Sequence, residues 1–323
     1  MRKLLPAVLL AVAFLLSLYL GATQIESFWS ALVNPGSNEI LWQIRFPRAT
    51  AAVIVGAALG VAGLLAQGAC NNAVAEPAIL GTAAGAAFGA VLAISTGLVE
   101  VGTIGAIACG TIGALLTTAL TFKLAAIRGA LSSFTLIIVG IAISAIFTSF
   151  VGIASAMASR ADARSISFWS LGSLALITSE NLIGIALTTL IGVAIAWKVA
   201  PALDRLSLGD ATAFHLGVNV ARIRLFALIA LSILAGGAVS TVGSIAFIGL
   251  AAPHIARFIY GPSHRKLVAH SAVTGGLIVV VADTVSRTIA QPNELPIGLA
   301  TALLGAPVLI ALVAFKNNVW RTQ

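Results

Sequence analysis

Charge is what this sequence has least of. Only 9% of its 323 residues are Asp, Glu, Lys or Arg, against about 25% in an ordinary soluble domain. A water-soluble globular fold is excluded on that ground. Period-two alternation is also missing, which argues against a membrane β-barrel. There are two cysteines, Cys70 and Cys109, each set in apolar sequence. Without a CxxC pair or a His-rich neighbourhood they offer neither a disulfide framework nor a metal site, and they read as small packed hydrophobes. His254, His264 and His270 lack acidic or sulfur partners at metal-ligand spacing. No Walker A loop, kinase signature or nucleophile elbow occurs. The chain is therefore expected to be no enzyme, to hydrolyse no ATP and to bind no cofactor itself.

Apolar residues are abundant, 59% of the chain, with a mean hydropathy of +1.08. An all-α polytopic membrane protein fits, since about 20 apolar residues cross a bilayer as helix. We read ten spans, at about 4–22, 46–69, 78–96, 101–122, 134–157, 181–199, 223–243, 245–260, 267–289 and 295–315, forming one transmembrane domain over 1–323. The span at 245–260 is the weakest, being short and containing Pro253 and His254. Residues 165–177 are too short to cross and read as a helix at, or dipping into, the outer surface, where Trp169 suits the interface. The opening apolar run, Leu4 to Leu20, is long for a secretory signal and reads as the first span.

Placing the N-terminus inside leaves only Arg45, Arg48, Arg160, Arg164 and Arg287 of the 18 Lys and Arg residues outside. The positive-inside rule favours that orientation, with both termini cytoplasmic. The net charge of +8 is then a topology signal and calls for no nucleic acid. No span carries a carboxylate or lysine near its middle. Ion-coupled transporters usually do, so energy for any transport is expected to enter from outside the membrane domain. Glycines three or four apart, such as Gly56, Gly60 and Gly63, or Gly81, Gly85 and Gly89, let helix backbones approach closely.

Several stretches are more polar than plain connections need. Arg45 and Arg48, flanking Phe46-Pro47, present two guanidinium forks on one face at the outer end of the second span. They read either as interfacial snorkelling or as a docking point for acidic residues of an external partner. Asp283 and Arg287, four apart, form a local ion pair or add a third outward arginine. "NNAVAEPAILG" (71–81) interrupts apolar sequence with amides, a glutamate and a proline. The cytoplasmic segment at about 201–222 holds Leu206, Leu208, Phe214 and Leu216 between the breaks Gly209 and Gly217. Two short amphipathic helices there suit a soluble partner's groove, or simply lie on lipid headgroups. Arg160, Asp162 and Arg164 face an anionic ligand at the entrance, or form a solvated loop.

The chain resembles the FecCD-type permeases, membrane subunits of type II ABC importers for iron–siderophore, haem or cobalamin. The resemblance rests on "RFPR", "GAALGVAGLLAQG", "NNAVAEPAILG", "LSLGDATAFHLGVNVARIR", "IAFIGLAAPHIARFIYGPSHRKL" and "LIVVVADTVSRTIAQPNELPIGLATALLGAP", in that order and nearly end to end. It implies the type II importer permease fold of ten helices in the bacterial inner membrane. It implies a second permease subunit, identical or paralogous, two ATPase subunits carrying ATP and magnesium, and an extracytoplasmic binding protein. It implies docking of that protein at Arg45, Arg48 and Arg287, and ATPase coupling through Leu206, Leu208, Gly209, Asp210, Phe214, Leu216 and Gly217. Cytoplasmic gates are implied at Asn72 and Val74 and at Ser133 and Phe134. The expected cargo is a ferric siderophore, with haem and then cobalamin as alternatives and an ion-coupled secondary transporter as the competing class. One departure stands out: where the family commonly has Arg-Asn-Pro-Leu-Ala, this chain has Asn71-Asn72-Ala73-Val74-Ala75. The missing proline frees φ and restores an N–H, so the gate loop is expected to be less rigid.

Overall fold

The computed structural model describes residues 4–307 except 22, 101, 128–131, 292 and 304. The basic residues Arg2, Lys3, Arg128, Lys316 and Arg321, and the end of the last expected span at 308–315, lie outside the described residues, as does the side chain of Asp162.

Among the described residues every regular element is helical. In chain order they are α1 Leu5–Tyr19, α2 Phe28–Val33, α3 Phe46–Ala69, α4 Thr82–Ser95, α5 Ile104–Ala126, α6 Ser133–Met157, α7 Arg160–Ser170, α8 Ser179–Leu206, α9 Asp210–His215, α10 Val220–Val242, α11 Ile248–Tyr260 and α12 His264–Ile289. A last apolar helix, α13, runs Ile297–Pro307. Polar side chains set several starts: Thr103, Ser132, Thr178 and Asn219 each accept a hydrogen bond from a first-turn N–H, satisfying donors that the helix itself leaves unpaired.

The bundle is organised around α3. Nineteen of its 24 residues are buried, and it packs against α12, α10, α8 and α11. Its entry is a π-helical turn, Ile40–Arg45, in which Phe46 N–H reaches back to Leu41 O. Pro47 explains that turn, because its ring crowds the carbonyl four residues earlier and it has no N–H to donate. The glycine face of α3 permits the closest contacts. A Cβ on Gly56 or Gly63 would strike the backbone carbonyl of Gly275 or Gly249. α6 is the opposite case, with only Leu136, Gly140 and Ile143 buried, so its apolar surface faces outward from the chain.

Among the described residues, six helices are long and apolar enough to cross a membrane, the first of them including the π-helical turn before α3: Ile40–Ala69, α5, α6, α8, α10 and α12. Four expected spans are shorter: α1 has 15 residues, α4 has 14 and α11 has 13, and α13 is likewise a short apolar helix. For α4 and α11 the reason is local. Residues 75–81 approach α4 as irregular backbone, with Ala75, Pro77, Leu80 and Gly81 buried. Gly81 does not extend the glycine strip as expected; it adopts φ +85° as the residue before α4. At α11 the break lies at Gly243 (φ +76°) and Phe247 (φ +66°), not at Pro253, which sits inside the helix. Pro253 cannot donate to the Gly249 carbonyl, and Gln67 Nε2 of α3 reaches that oxygen instead, at 3.4 Å. Irregular backbone at this depth is tolerated only where protein buries it.

The stretch expected at the outer surface forms α7, which packs on α6. It then dips inward: Ser173 N–H donates to Val242 O, while Gly172 O and Leu171 O accept from Ile297 and Gly298. The 201–222 segment contains one short helix, α9, rather than two, because α8 continues through Pro201 to Leu206.

Candidate functional site

Expected functional residues fall at the two ends of α3, which over 24 residues is about 36 Å long at 1.5 Å per residue.

At the Ala69 end lies α9. Gly209 (φ +97°) precedes it and Gly217 (φ +78°) follows it, conformations that favour glycine. Ala213 is buried and anchors the helix, while Leu208 (62% exposed), Phe214 (71%) and Leu216 (51%) stand out to solvent. Leu206 differs from its expected companions: it is fully buried in the core and cannot touch a partner directly. Asp210 opens α9 and pairs with Arg224 of α10, Oδ1 to Nη2 at 2.9 Å. Arg224 is itself only 1% exposed. Its Nε donates to the carbonyl of Ala69 at 2.9 Å, and Nη2 also donates to Ser133 Oγ at 3.2 Å.

The two expected gate segments start from those atoms. After α3, Asn72 N–H returns to Gln67 O and Ala75 N–H to Asn72 O, while Asn72 Oδ1 accepts from Val74 N–H at 3.0 Å. Val74 is 45% exposed, and Phe134, in the first turn of α6, is 73% exposed. Further along, side-chain hydroxyls hold the irregular backbone: Ser144 donates to Ala78 O at 2.8 Å and Thr121 to Leu80 O at 3.2 Å. Glu76, between α3 and α4, has its carboxyl near the backbone N–H of Phe247, the residue before α11. Burial pushes its carboxyl above the usual carboxylate range, and that N–H draws it partly back.

At the other end of α3 the three expected docking arginines do come together, but not as free outward groups. Arg45, Arg48 and Arg287 are 4%, 8% and 7% exposed. Arg45 donates through Nη1 to the carbonyls of Leu18 (2.8 Å) and Tyr19 (2.7 Å), and through Nη2 to Thr23 O. It thereby serves the carbonyls left open at the end of α1. Arg48 clasps Asp283 and reaches Glu294 with Nη1 at 2.9 Å. Arg287 donates to Ser17 O and, at 2.9 Å, to Ser17 Oγ, with its Nε 3.8 Å from Asp283 Oδ2. Arg160 and Arg164 lie exposed on α7, four residues apart.

Sequence reasoning counted Arg224 only as one of many basic residues. Arg222 and Arg224, two apart, point to different sides of a helix at about 100° per residue. Which of them turns inward depends on how α10 sits in the bundle. The pair Arg257 and Gln67, Nη2 to Oε1 at 3.1 Å, was hidden for the same reason.

Comparison with known proteins gives a consistent picture. Residues 9–315 match the model of the FecCD transport family. The iron(3+)-hydroxamate import system permease protein FhuB of Bacillus subtilis (strain 168) is 35% identical over 94% of this chain and 80% of its own length. The hemin transport system permease protein HmuU of Yersinia pestis is 34% identical over 95% of this chain and 93% of that protein. A solved structure described as an inward-facing conformation of a putative metal-chelate type ABC transporter superposes with a TM-score of 0.83 at 28% identity, covering 96% and 97% of the two chains. With helices packed around α3 and matches of this length, the chain belongs to the FecCD transport family.

Proposed function

We propose that this permease subunit of a metal-chelate importer carries a ferric siderophore inward by alternating access, driven by ATP hydrolysed on two separate ATPase subunits. The observation that carries the coupling reading is α9. A six-residue helix leaves Leu208, Phe214 and Leu216 bare beside an anchored Ala213, an apolar face suited to a groove on a soluble partner. In this reading α9 lies in the cytoplasm with both termini, and one permease domain, 1–323, pairs with a second permease subunit in the bacterial inner membrane.

Asn72, Val74, Ser133 and Phe134 line the cytoplasmic gate. The binding protein docks at the opposite end, over the surface framed by Arg45, Arg48 and Arg287. Their contact with its carboxylates requires exchange of the intrachain partners described above. Arg160 and Arg164 on α7 add positive charge near that entrance, which suits an anionic ferric chelate. Siderophore cargo is supported by the resemblance to a hydroxamate permease, and haem is the next choice by resemblance to a hemin permease.

The test is reconstitution of the chain with its ATPases and binding protein in proteoliposomes. Uptake of radio-iron ferric hydroxamate that needs ATP inside the cytoplasmic compartment supports the reading. Uptake driven by a proton or sodium gradient without ATP sinks it, and uptake of haemin in preference to the hydroxamate replaces the cargo alone.

A further inference from the structure

One guanidinium joins three pieces of chain that the proposed mechanism must move together. Arg224 projects from the second turn of α10 and is almost wholly buried. It bonds Asp210 at the start of α9, the Ala69 carbonyl where the 70–81 segment leaves α3, and Ser133 in the first turn of α6. A buried arginine is costly unless its donors are met, and among the described residues acceptors from three different elements meet them. The Ala69 carbonyl is one that the end of a helix leaves open, and a cation suits that end of the helix dipole. Asp210 is different in kind. Its side chain is 50% exposed and belongs to a short helix between two positive-φ glycines.

We propose that Arg224 is the positioning residue that transmits displacement of α9 to the end of α3 and the first turn of α6, so that both gate segments follow α9. This rests on the reading of α9 as the ATPase contact and of 70–81 and 133–134 as the gate. Asp210 is the input, since of the three partners named here it is the one on α9. Ala69 and Ser133 are the outputs, each at the root of one gate segment. A lysine cannot replace the arginine in full, because a single ammonium lacks the planar fork that serves several acceptors at once. A residue that only cemented the fold would also bond these atoms, so the test must read motion and not stability.

The experiment uses the full chain, assembled with its ATPase subunits, in a Cys70→Ala, Cys109→Ala background. A reference spin label is placed at Leu98, exposed at the far end of α4. A second label goes at Thr212, exposed on α9, or at Phe134, and distances are measured with and without Mg-ATP and vanadate. In the parent, both distances shift on nucleotide trapping. With Arg224→Met the Thr212 shift persists while the Phe134 shift falls at least two-fold; Arg224→Lys recovers part of it. Asp210→Ala, which removes the acceptor on α9 and leaves the bonds to Ala69 and Ser133 in place, reproduces the loss.

A Phe134 shift equal to the parent's in both Arg224→Met and Asp210→Ala overturns the proposal. Should Arg224→Met fail to assemble, Asp210→Ala decides the matter alone, because it alters a half-exposed carboxylate. Absence of any Thr212 shift in the parent is a distinct result. It shows that α9 does not respond to the ATPases, and it removes the coupling reading together with the proposal built on it.

Discussion

Arg48 holds Asp283 by a two-sided grip: Nε lies 3.0 and 3.1 Å from the two carboxylate oxygens, and Nη2 lies 2.8 Å from Oδ1. The pair joins α3 to α12 and is almost fully buried, with side chains 10% and 1% exposed. Breaking a buried ion pair by removing one partner costs about 3–5 kcal/mol, because the other charge is stranded. Asp283→Leu alone is therefore expected to lower the thermal midpoint of the detergent-purified protein strongly. Arg48→Met with Asp283→Leu should recover part of that loss, since neither of these two charges is then stranded, while Glu294 and Arg287 each lose a neighbour. A double variant no more stable than Asp283→Leu would mean the pair is not the tie described.

The same geometry sharpens the docking test. Arg45→Glu with Arg48→Glu is expected to weaken capture of the binding protein and to flatten its dependence on salt, as loss of charged contacts does. Arg48→Glu also sets a third carboxylate beside Asp283 and Glu294, so the measurement is made on protein shown to be folded by its melting curve. A folded double variant with parental affinity and salt dependence removes these arginines from the dock.

Glycine substitutions separate closely packed positions from open ones. Gly63→Ala drives a methyl into the Gly249 carbonyl, and overpacking of this kind costs about 1–3 kcal/mol. Gly152, on α6, has open space around its missing Cβ. Alanine there should be neutral or stabilise by up to about 1 kcal/mol through helix propensity. Thermal denaturation of the two variants side by side checks the contrast, and equal midpoints would refute the close approach of α3 and α11.

Ala73 is the second residue of a turn closed by Ala75 N–H to Asn72 O, a position where proline is favoured. Its own N–H makes no hydrogen bond among the described residues. Ala73→Pro should therefore fold normally, with a gain of about 0.4–1 kcal/mol from restricting the unfolded chain. Transport should slow as the turn stiffens. Unaltered uptake kinetics in this variant would place the gate elsewhere.

Phe214→Ser removes the most exposed ring of α9 without touching its buried anchor. If α9 fills a groove on the ATPase, affinity for that subunit should fall about ten-fold or more, the range of a central apolar contact. Surface-immobilised permease titrated with the ATPase measures it, and unchanged binding rules out this face.

How much of this was legible beforehand depended on whether hydropathy and backbone agreed. The second span, expected at 46–69, is α3 residue for residue, because its apolar run, Pro47 start and polar Asn71-Asn72 end coincide with the helix. The third and eighth spans were overextended, since an apolar residue such as Leu80 or Ile245 counts equally whether its backbone is helical or not. Pro253 looked like the flaw in the eighth span, yet Gln67 satisfies the carbonyl it leaves open and the true break is at Gly243 to Phe247. At the arginine cluster, sequence spacing offered the pair Asp283 and Arg287, which lie 3.8 Å apart, but gave no partner within the chain for Arg45 or Arg48. Arg45 was read as facing outward because nothing in its neighbourhood reveals that the end of α1, more than twenty residues earlier, supplies its acceptors.

Gln67 meets the Gly249 carbonyl with Nε2 and Arg257 with Oε1, so a single amide of α3 spans two turns of α11. Its donor and its acceptor are both engaged, which fixes the amide from both ends. α11 cannot slide or roll on α3 without giving up both contacts. The short helix is keyed to the long one, and the two behave as one rigid part.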